Sequence, residues 1–558
     1  MAKDKEAQPL DLDHVRNIGI AAHVDAGKTT LTERVLYYTG ASHKVGEVHH
    51  GTTHMDWQPE EQEHGITITA AVTQCPWRDH LIQVVDTPGH IDFTIEVERS
   101  MRVLDGAIIV MDGVRGVEPQ TETVWRQANK HDVPRMFFIN KMDRPGADFE
   151  RALQTISEQL HADAVPVTVP IPEEQLVLHA IEQRAYTFSG EKGKVVESRA
   201  LTAGEAELLA PFRESLLLAL AEHDEPLADL VLLEEEPDEE TLWAVLRRLT
   251  LAGLVWPAFS GSALRNWGVQ PLLDAVLKIM PSPREKQLPE GVDAGGGVEQ
   301  IEMDASGPLA ALVFKVQLLE GRRHCFARIY RGTLEPGDII RINHSDETER
   351  VARVFGVDAN KKVRLRAAEA GHIVLLAGLR RASTGDTLCD PEHPLQLESI
   401  DAREPVLGLA VEPRSSADEE KLIDVLSKVC EEDPTLRFED DTETGQKILK
   451  GMGELHLQIT FERLAREFNL EINVGRPRVV HRETVGSTAE ATGGVDRVID
   501  AGSQQIELKA RCTARVRPTE RGSGLSVLSE PTWLPEDVEP TAEQRAAIEQ
   551  GARDALSG

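Results

Sequence analysis

From residue 14 to residue 283 the chain alternates short apolar runs with amphipathic stretches. Residues 17–24 form an apolar run of strand length. Residues 28–38 carry apolar side chains at helical spacing, and Gly40 supplies a stop. Residues 81–85, 106–111, 135–139 and 255–259 are further apolar runs, with helical stretches between most of them. Strand–helix alternation of this kind predicts a mostly parallel sheet covered on both faces. Residues 165–250 interrupt the pattern with the acidic run 234–240, broken by Pro237, and a helical stretch at 241–251. They read as an insertion in the first domain, with the acidic run as a solvated face or loop.

Residues 284–307 contain Pro289, Gly291 and Gly295-Gly296-Gly297 with little periodicity, and read as a linker. Beyond it, residues 309–317, 325–330 and 338–343 have strand character, with turn signals at Gly332 and Glu335-Pro336-Gly337. That predicts a small β-barrel. From Pro405 the order becomes strand, helix, strand, strand, helix, strand, with helices expected at 416–431 and 453–467. This is the pattern of a ferredoxin-like α+β domain. Residues 479–558 open another α+β unit that reads as incomplete. The expected domains are 1–284, 285–402, 403–478 and a partial fourth at 479–558.

Length and composition agree with several globular domains: 558 residues, 41% hydrophobic and 28% charged. The formal net charge of −33 argues against a protein that coats free nucleic acid, so any RNA contact has to come from local basic patches. Acidity that only keeps a large protein soluble explains the charge as well. The five cysteines, Cys75, Cys325, Cys389, Cys430 and Cys512, form no CxxC pair, which argues against a zinc site or disulfide framework. The polar start at Met1, Ala2, Lys3 and Asp4 lacks a signal-peptide core, and no apolar run has the length of a membrane span. A cytoplasmic protein is expected.

Candidate chemistry lies at the ends of the apolar runs. Ala22-His23-Val24-Asp25-Ala26-Gly27-Lys28-Thr29 follows a strand and opens a helix, matching the phosphate-binding P-loop pattern except that Ala22 replaces the first glycine. Its backbone N–H groups and helix N-terminus suit an anion; Lys28 would reach the β and γ phosphates, and Thr29 would bind Mg²⁺. Asp86-Thr87-Pro88-Gly89 follows another strand. Asp86 can hold Mg²⁺ through water, and Gly89 allows its N–H to approach a γ-phosphate. In Asn140-Lys141-Met142-Asp143, the Asp143 carboxylate can accept from guanine N1–H and its 2-amino group, donors that adenine lacks, while the Lys141 stem covers the base. Ser260-Gly261-Ser262-Ala263 offers backbone N–H groups for the guanine carbonyl oxygen. Each motif alone is compatible with an ordinary turn; their order and strand-end placement together point to GTP rather than ATP.

The same segments resemble a family. His23-Val24-Asp25-Ala26-Gly27-Lys28-Thr29-Thr30, Gly65-Ile66-Thr67-Ile68-Thr69, Asp86-Thr87-Pro88-Gly89-His90 and Asn140-Lys141-Met142-Asp143 are similar to translational GTPases. Gly46-Glu47-Val48, Met55-Asp56-Trp57 and Glu98-Arg99-Ser100 resemble bacterial elongation factor G in particular. So do residues 383–388 and Gly451-Met452-Gly453-Glu454-Leu455-His456-Leu457. The resemblance covers nearly the whole chain and is specific as far as about Glu483. It implies a GTP/GDP-binding enzyme that hydrolyses GTP on the ribosome and couples it to tRNA–mRNA movement. Thr67 would close on Mg²⁺ and His90 would orient the attacking water. Val24 and Ile66 would gate that histidine, and Asp25 would lie near the phosphates. Ribosomal RNA and stalk proteins are the implied partners, with tRNA–mRNA engaged indirectly; a monomer is expected, with no membrane and no DNA partner.

Three departures qualify the resemblance. His64 stands where the family has arginine, so an obligate cation is replaced by an imidazole. The 165–250 insertion is shorter than the family pattern. Around Arg497-Val498-Ile499-Asp500-Ala501-Gly502-Ser503-Gln504-Gln505 the family's Gly-Gly-Arg-Gly-Gln signature is missing, and the sequence runs out at Gly558 before a fifth domain. A chain cut short and a paralogue without translocation parts, acting in recycling, protection or regulation, both agree with this; failure to move tRNA is expected of either. Lys361, Lys362, Arg364 and Arg366, and Arg476, Arg478 and Arg482, are candidate phosphate contacts or plain solvated surface. A non-catalytic GTP-gated adaptor would lack His90 or Thr67, and both are present. A nucleotide kinase would need a second substrate site, which nothing here resembles.

Overall fold

The structure, a computed structural model, describes residues 11–42, 46, 53–56, 58–286, 288–319, 322–343, 347–358, 361–397, 404–442, 444–478, 485–501, 504–520, 526 and 541–556. Met1, Ala2, Lys3, Asp4, Glu47, Val48, Trp57, Arg482, Glu483, Gly502 and Ser503, named above, lie outside these residues, as does the side chain of Lys361.

Seven strands form the first sheet: β1 (Val15–Ala22), β2 (Ala71–Trp77), β3 (His80–Asp86), β4 (Gly106–Asp112), β5 (Arg135–Asn140), β6 (Ala164–Pro166) and β7 (Trp256–Ser260). Their order is β2-β3-β1-β4-β5-β7-β6. Only β2 runs antiparallel to its neighbour, as a hairpin with β3. Side chains alternate between two buried layers: Ile18, Ile20, Ile108 and Val110 pack on one face, Ala21, Ala107, Ile109 and Met111 on the other. The carboxyl ends of β1, β3, β5 and β7 therefore fall along one edge, the place where open parallel sheets bind ligands.

The inserted region begins after β6, at residue 168 rather than 165, because Ala164–Pro166 pairs with β7 in the main sheet. Four antiparallel strands between residues 168 and 200, which the apolar pattern did not mark, precede three helices. The end of the acidic run is helical, not loop: Asp238 caps the Glu239–Leu251 helix by accepting from the Thr241 N–H at 2.8 Å, and Glu239 and Glu240 lie in its first turn. Acids are favoured there by the helix dipole. Within this region His179 is buried beside Tyr186 and Trp243, ring centroids 5.9 and 5.5 Å away. Burial pushes its imidazole down to about 4 from 6.5, against the pull of Glu182. Between those values the unfolded chain binds more protons, so stability falls as pH falls through the window. His179→Gln is expected to remove up to roughly 3 kcal/mol of that loss, measured as denaturation midpoints at neutral pH and near the lower value. Parallel pH profiles for the two proteins would contradict it.

Residues 284–307 are not a linker throughout. Glu290–Asp293 and Val298–Gln300 form a hairpin, and the first of them also pairs with Leu395–Leu397. The glycines are its turn: Asp293 Oδ1 accepts from the N–H groups of Gly295 and Gly297, each at 2.8 Å. The Gly-rich signal marked a side-chain-capped turn. An eight-stranded antiparallel sheet follows, centred on the hairpin of Ala310–Leu319 with Arg322–Arg331. Ala311 and Val313 face its own core, while Ala310, Leu312 and Phe314 share the layer beneath the first sheet. The seam also holds a buried ion pair, Arg328 Nη2 to Asp105 Oδ1 at 2.7 Å, with Asn17 Nδ2 donating to Asp105 Oδ2 at 2.7 Å.

The α+β domain has the expected strand and helix order: Leu407–Pro413, the helix Glu419–Glu432, Arg437–Asp441, Gln446–Gly451, the helix Glu454–Phe468, and Ile472–Gly475. In the sheet the first strand lies between the third and the fourth. Residues 478–558 form a separate unit. There, Ala489–Ala501 pairs antiparallel with Gln504–Val516 from Ala489↔Val516 to Ala501↔Gln504, and a helix spans Ala542–Leu556. Of the stretch compared above with a family loop, residues 497–501 and 504–505 lie in the two paired strands. Among the described residues no helix is long and apolar enough to cross a membrane.

Candidate functional site

Gly27 opens the helix Lys28–Thr39 in the left-handed region, φ +93°, which glycine adopts without penalty. A Cβ here would lie 2.4 Å from Asn140 Nδ2. Asn140 is a bracket between loops: its Nδ2 donates to the Ala26 carbonyl at 2.9 Å, and its Oδ1 accepts from the Ala263 N–H at 3.0 Å. Lys141 Nζ donates to the Asp25 carbonyl and, at 2.8 Å, to Asp112. Gly27→Ala is therefore expected to displace Asn140 and raise the Kd for guanine nucleotide by at least about tenfold, read by fluorescent-nucleotide titration. Unchanged affinity would show that the bracket is dispensable.

His23 is buried, with Nε2 3.2 Å from Glu118 Oε2 but not aligned for a hydrogen bond, and burial lowers its basicity. Only its backbone is placed to serve a ligand. The Val24 N–H donates to Gln120 Oε1 at 2.8 Å, and Asp25 is exposed at φ +65°. In the base-side loop the Gly261 N–H donates to Ile139, the Ser262 N–H to Trp267 and the Ala263 N–H to Asn140. These donors, expected to meet the guanine oxygen, are engaged within the protein. Asp143 Oδ2 lies 3.6 Å from Arg265 Nε.

Lys28, Thr67 and Asp86 meet directly. Lys28 Nζ donates to Thr67 Oγ1 at 2.7 Å and to Asp86 Oδ2 at 2.6 Å. Thr32 Oγ1 donates to Asp86 Oδ1 at 3.0 Å, and Thr67 Oγ1 donates to Asp56 Oδ1 at 2.7 Å. Burial raises the Asp86 carboxyl and Lys28 opposes the shift. Two of these hard oxygens, Thr67 Oγ1 and Asp86 Oδ2, already face a cationic group, the ammonium, and the donor set fits Mg²⁺. Thr29 and Thr30 follow Lys28 in the first turn of its helix.

Two buried acids hold the segment that carries Thr67. Glu33 accepts from the N–H groups of Gly46, His54 and Met55 at 2.6–3.2 Å. Glu61 accepts from Ile68 and Thr69 at 3.1 Å each and from Gln58 at 3.2 Å. Burial, reinforced by Asp56, pushes the Glu61 carboxyl up to about 7. At the end of the segment the buried Lys315 of the Ala310–Leu319 strand donates to the Ala70 carbonyl at 2.6 Å. Sequence reasoning missed Thr32, Glu33, Asp56 as the acceptor of the Thr67 hydroxyl, Glu61 and Lys315; an acid amid a helical or polar run carries no local mark of burial.

Gly89 runs against the backbone of β1, where a Cβ would approach the Ala22 carbonyl oxygen to 3.0 Å. His90 stands at the rim of a small cavity lined by Pro88, Gly89, Val97, Gln120 and Val124. Its Nδ1 accepts from the Asp92 N–H at 3.2 Å, and its ring packs edge-on to Phe93. Phe93 joins Ile66, Ile68, Leu455 and Ile459 in one apolar cluster. The Glu454–Phe468 helix thus contacts both the Thr67 segment and the turn after His90. Its Arg466 pairs with Glu60 and Glu63 at 2.9 Å each. His64, the departure from arginine, faces the same helix, Nε2 2.9 Å from Glu462 Oε2.

Comparison with known proteins agrees with this architecture. Models of the elongation factor Tu GTP-binding domain, elongation factor Tu domain 2 and elongation factor G domain III match residues 13–282, 322–389 and 403–476. Elongation factor G 2 of Syntrophus aciditrophicus (strain SB) is 44% identical over 550 residues, spanning 98% of this chain and 80% of that protein. A crystal structure from Thermus thermophilus aligns with a TM-score of 0.78 at 28% identity, over 97% of this chain and 78% of that one. With a relative this similar across 98% of this chain, and with the loops after β1, β3, β5 and β7 at one sheet edge, the chain belongs to the elongation factor G family of translational GTPases.

Proposed function

We propose that this protein binds GTP with Mg²⁺, hydrolyses it on the ribosome and couples hydrolysis to movement of tRNA and mRNA. The observation that carries this reading is the convergence of the Thr67 segment and the His90 turn on one helix of the α+β domain. A change at the γ-phosphate that releases either segment also alters the seat of that helix, the order–disorder coupling used by GTPase switches. In the proposed site the backbone from His23 to Thr30 cradles the phosphates and Lys28 neutralises them. Thr29, Thr67 and Asp86 would hold Mg²⁺, which would supply charge neutralisation at the phosphates. His90 orients water toward the phosphate beside Gly89. Asn140, Lys141 and Asp143, with Ser262 and Ala263, enclose the base.

We assign the GTPase domain to 1–284, the β-barrel domain to 285–402, the ferredoxin-like domain to 403–478 and part of a fourth domain to 479–558. Lys362, Arg364 and Arg366, exposed side chains, would meet RNA phosphates in this reading. The protein acts as a cytoplasmic monomer.

The test is GTP turnover by the purified chain with and without intact bacterial ribosomes. Isolated GTPases of this type can be as slow as about 10⁻⁴ to 10⁻² per second, and a completed site gains up to roughly 10⁵-fold. Strong stimulation supports the reading; bound GTP with no stimulation refutes the ribosomal part. A second reading, ribosome-stimulated hydrolysis without translocation, is favoured by the sequence of residues 497–505. That stretch carries one cation, Arg497, beside Asp500, in place of a basic glycine-rich signature. Single-round tRNA movement separates the two.

A further inference from the structure

The Glu454–Phe468 helix starts without a cap of its own. Its N-cap residue is Gly453, which has no side chain to satisfy the first N–H groups, a position where serine, threonine, asparagine or aspartate ordinarily serves. Asp92, distant in sequence, supplies the missing acceptor. Its Oδ2 receives the N–H of His456, the third helical residue, at 3.3 Å. The fit is close: a Cβ on Gly453 would lie 2.3 Å from both Asp92 carboxylate oxygens. Gly453 has φ −167°, extended backbone that any residue adopts, so glycine is required here by the carboxylate and not by its own conformation.

The same residue holds His90. The Asp92 N–H donates to His90 Nδ1, which makes Nδ1 the acceptor and places the neutral ring's proton on Nε2. Asp92 Oδ1 stands 3.8 Å from that Nδ1. Phe93, next in the chain, packs edge-on to both His90 and His456, with centroids 6.2 and 5.6 Å away. Backbone and side chain of one residue therefore face two domains. His456 is itself fixed at its other nitrogen by Asp433, Nε2 to Oδ2 at 3.0 Å, while its Nδ1 accepts from the Met452 N–H at 3.2 Å. The donor end of the contact is seated in a hydrogen-bonded frame.

We infer that Asp92 is a positioning residue: by capping the Glu454–Phe468 helix from another domain, it fixes the tautomer and direction of His90, so that hydrolysis depends on how the α+β domain is docked. This rests on the reading of His90 given above. Asp92 itself touches no reacting atom. Its carboxylate at the positive end of a helix is also favoured by the helix dipole, and movement of that helix would pull on the turn that carries the histidine.

The test uses the full chain with Asp92→Ala, Asp92→Asn, Gly453→Ala and the Asp92→Ala/Gly453→Ala pair. Hydrogen exchange at the His456 amide reads the cap without any reliance on catalysis. Ribosome-stimulated kcat, KM for GTP and GTP affinity read the positioning. Asp92→Ala and Gly453→Ala are each expected to speed exchange at His456 and to lower kcat by roughly ten- to a hundredfold, with nucleotide affinity within about twofold. The double variant should be no slower than Asp92→Ala alone, because the added methyl then meets no carboxylate. Asp92→Asn, which keeps an acceptor oxygen, should recover most of both losses. Unchanged exchange at His456 in Asp92→Ala overturns the cap. Wild-type kcat in Gly453→Ala, or losses that multiply in the double variant, overturn the positioning role. If His90→Ala leaves wild-type turnover intact, the reading of His90 fails instead, and the positioning role with it, while the exchange data still decide the cap.

Discussion

Replacing His90 with alanine is expected to lower ribosome-stimulated GTP turnover by roughly 10²- to 10⁴-fold, the range that a positioned acid–base or water-orienting side chain contributes. GTP affinity should barely change. The two halves of this expectation follow from separate contacts. His90 is held by the Asp92 N–H and the edge of Phe93. The phosphate-side set is tied together independently, through Lys28 to Thr67 and Asp86. Removing the imidazole leaves that second set and the Asn140 bracket in place. Stopped-flow nucleotide binding and phosphate release on the same preparation check both halves, and a large loss of affinity would refute the assigned role.

Asp143→Asn is expected to weaken GTP by roughly 10²- to 10⁴-fold, from the loss of two hydrogen bonds to a charged acceptor at about 1.5–3 kcal/mol each. The amide can donate to the 2-oxygen of xanthine, so xanthosine triphosphate should bind the variant better than the parent. Competition titrations with the two nucleotides measure the reversal; unchanged selectivity would remove Asp143 from base reading. The local frame supports such a clean exchange. Asp143 is approached by Arg265 at 3.6 Å, and the backbone beside it is fixed by the Met142 N–H donating to Gly261 at 3.1 Å. The isosteric amide has no buried partner to strand.

What was legible in the sequence was legible because it is local. Four loops follow four apolar runs, and parallel sheet geometry brings their ends to one edge whatever the helices between them look like. Lys28, Thr67 and Asp86 could be named from their motifs, and the structure joins them by direct hydrogen bonds. Glu33 and Glu61 could not, because their roles consist of accepting backbone N–H groups from residues that no periodicity links to them. Gly453 and Asp92 are a sharper case, separated by most of the chain, with the glycine meaningful only beside the carboxylate. The hairpin of Glu290–Asp293 with Val298–Gln300 was obscured for another reason. Its strands are short and exposed, so they carry no apolar alternation, and only Asp293 over the glycines marks the turn. His64 illustrates the limit of resemblance: its departure from arginine gave no hint that Glu462 would face it.

The hydrogen bond from Lys315 to the Ala70 carbonyl sets a pivot. Thr67 lies three residues upstream of that anchor, a tether of at most about 10 Å of extended chain. Whatever the Thr67 hydroxyl releases, it can swing only on this short radius, and the axis of the swing belongs to the β-barrel domain. The segment is thus leashed at one end, and its reach is set by a lysine of the Ala310–Leu319 strand.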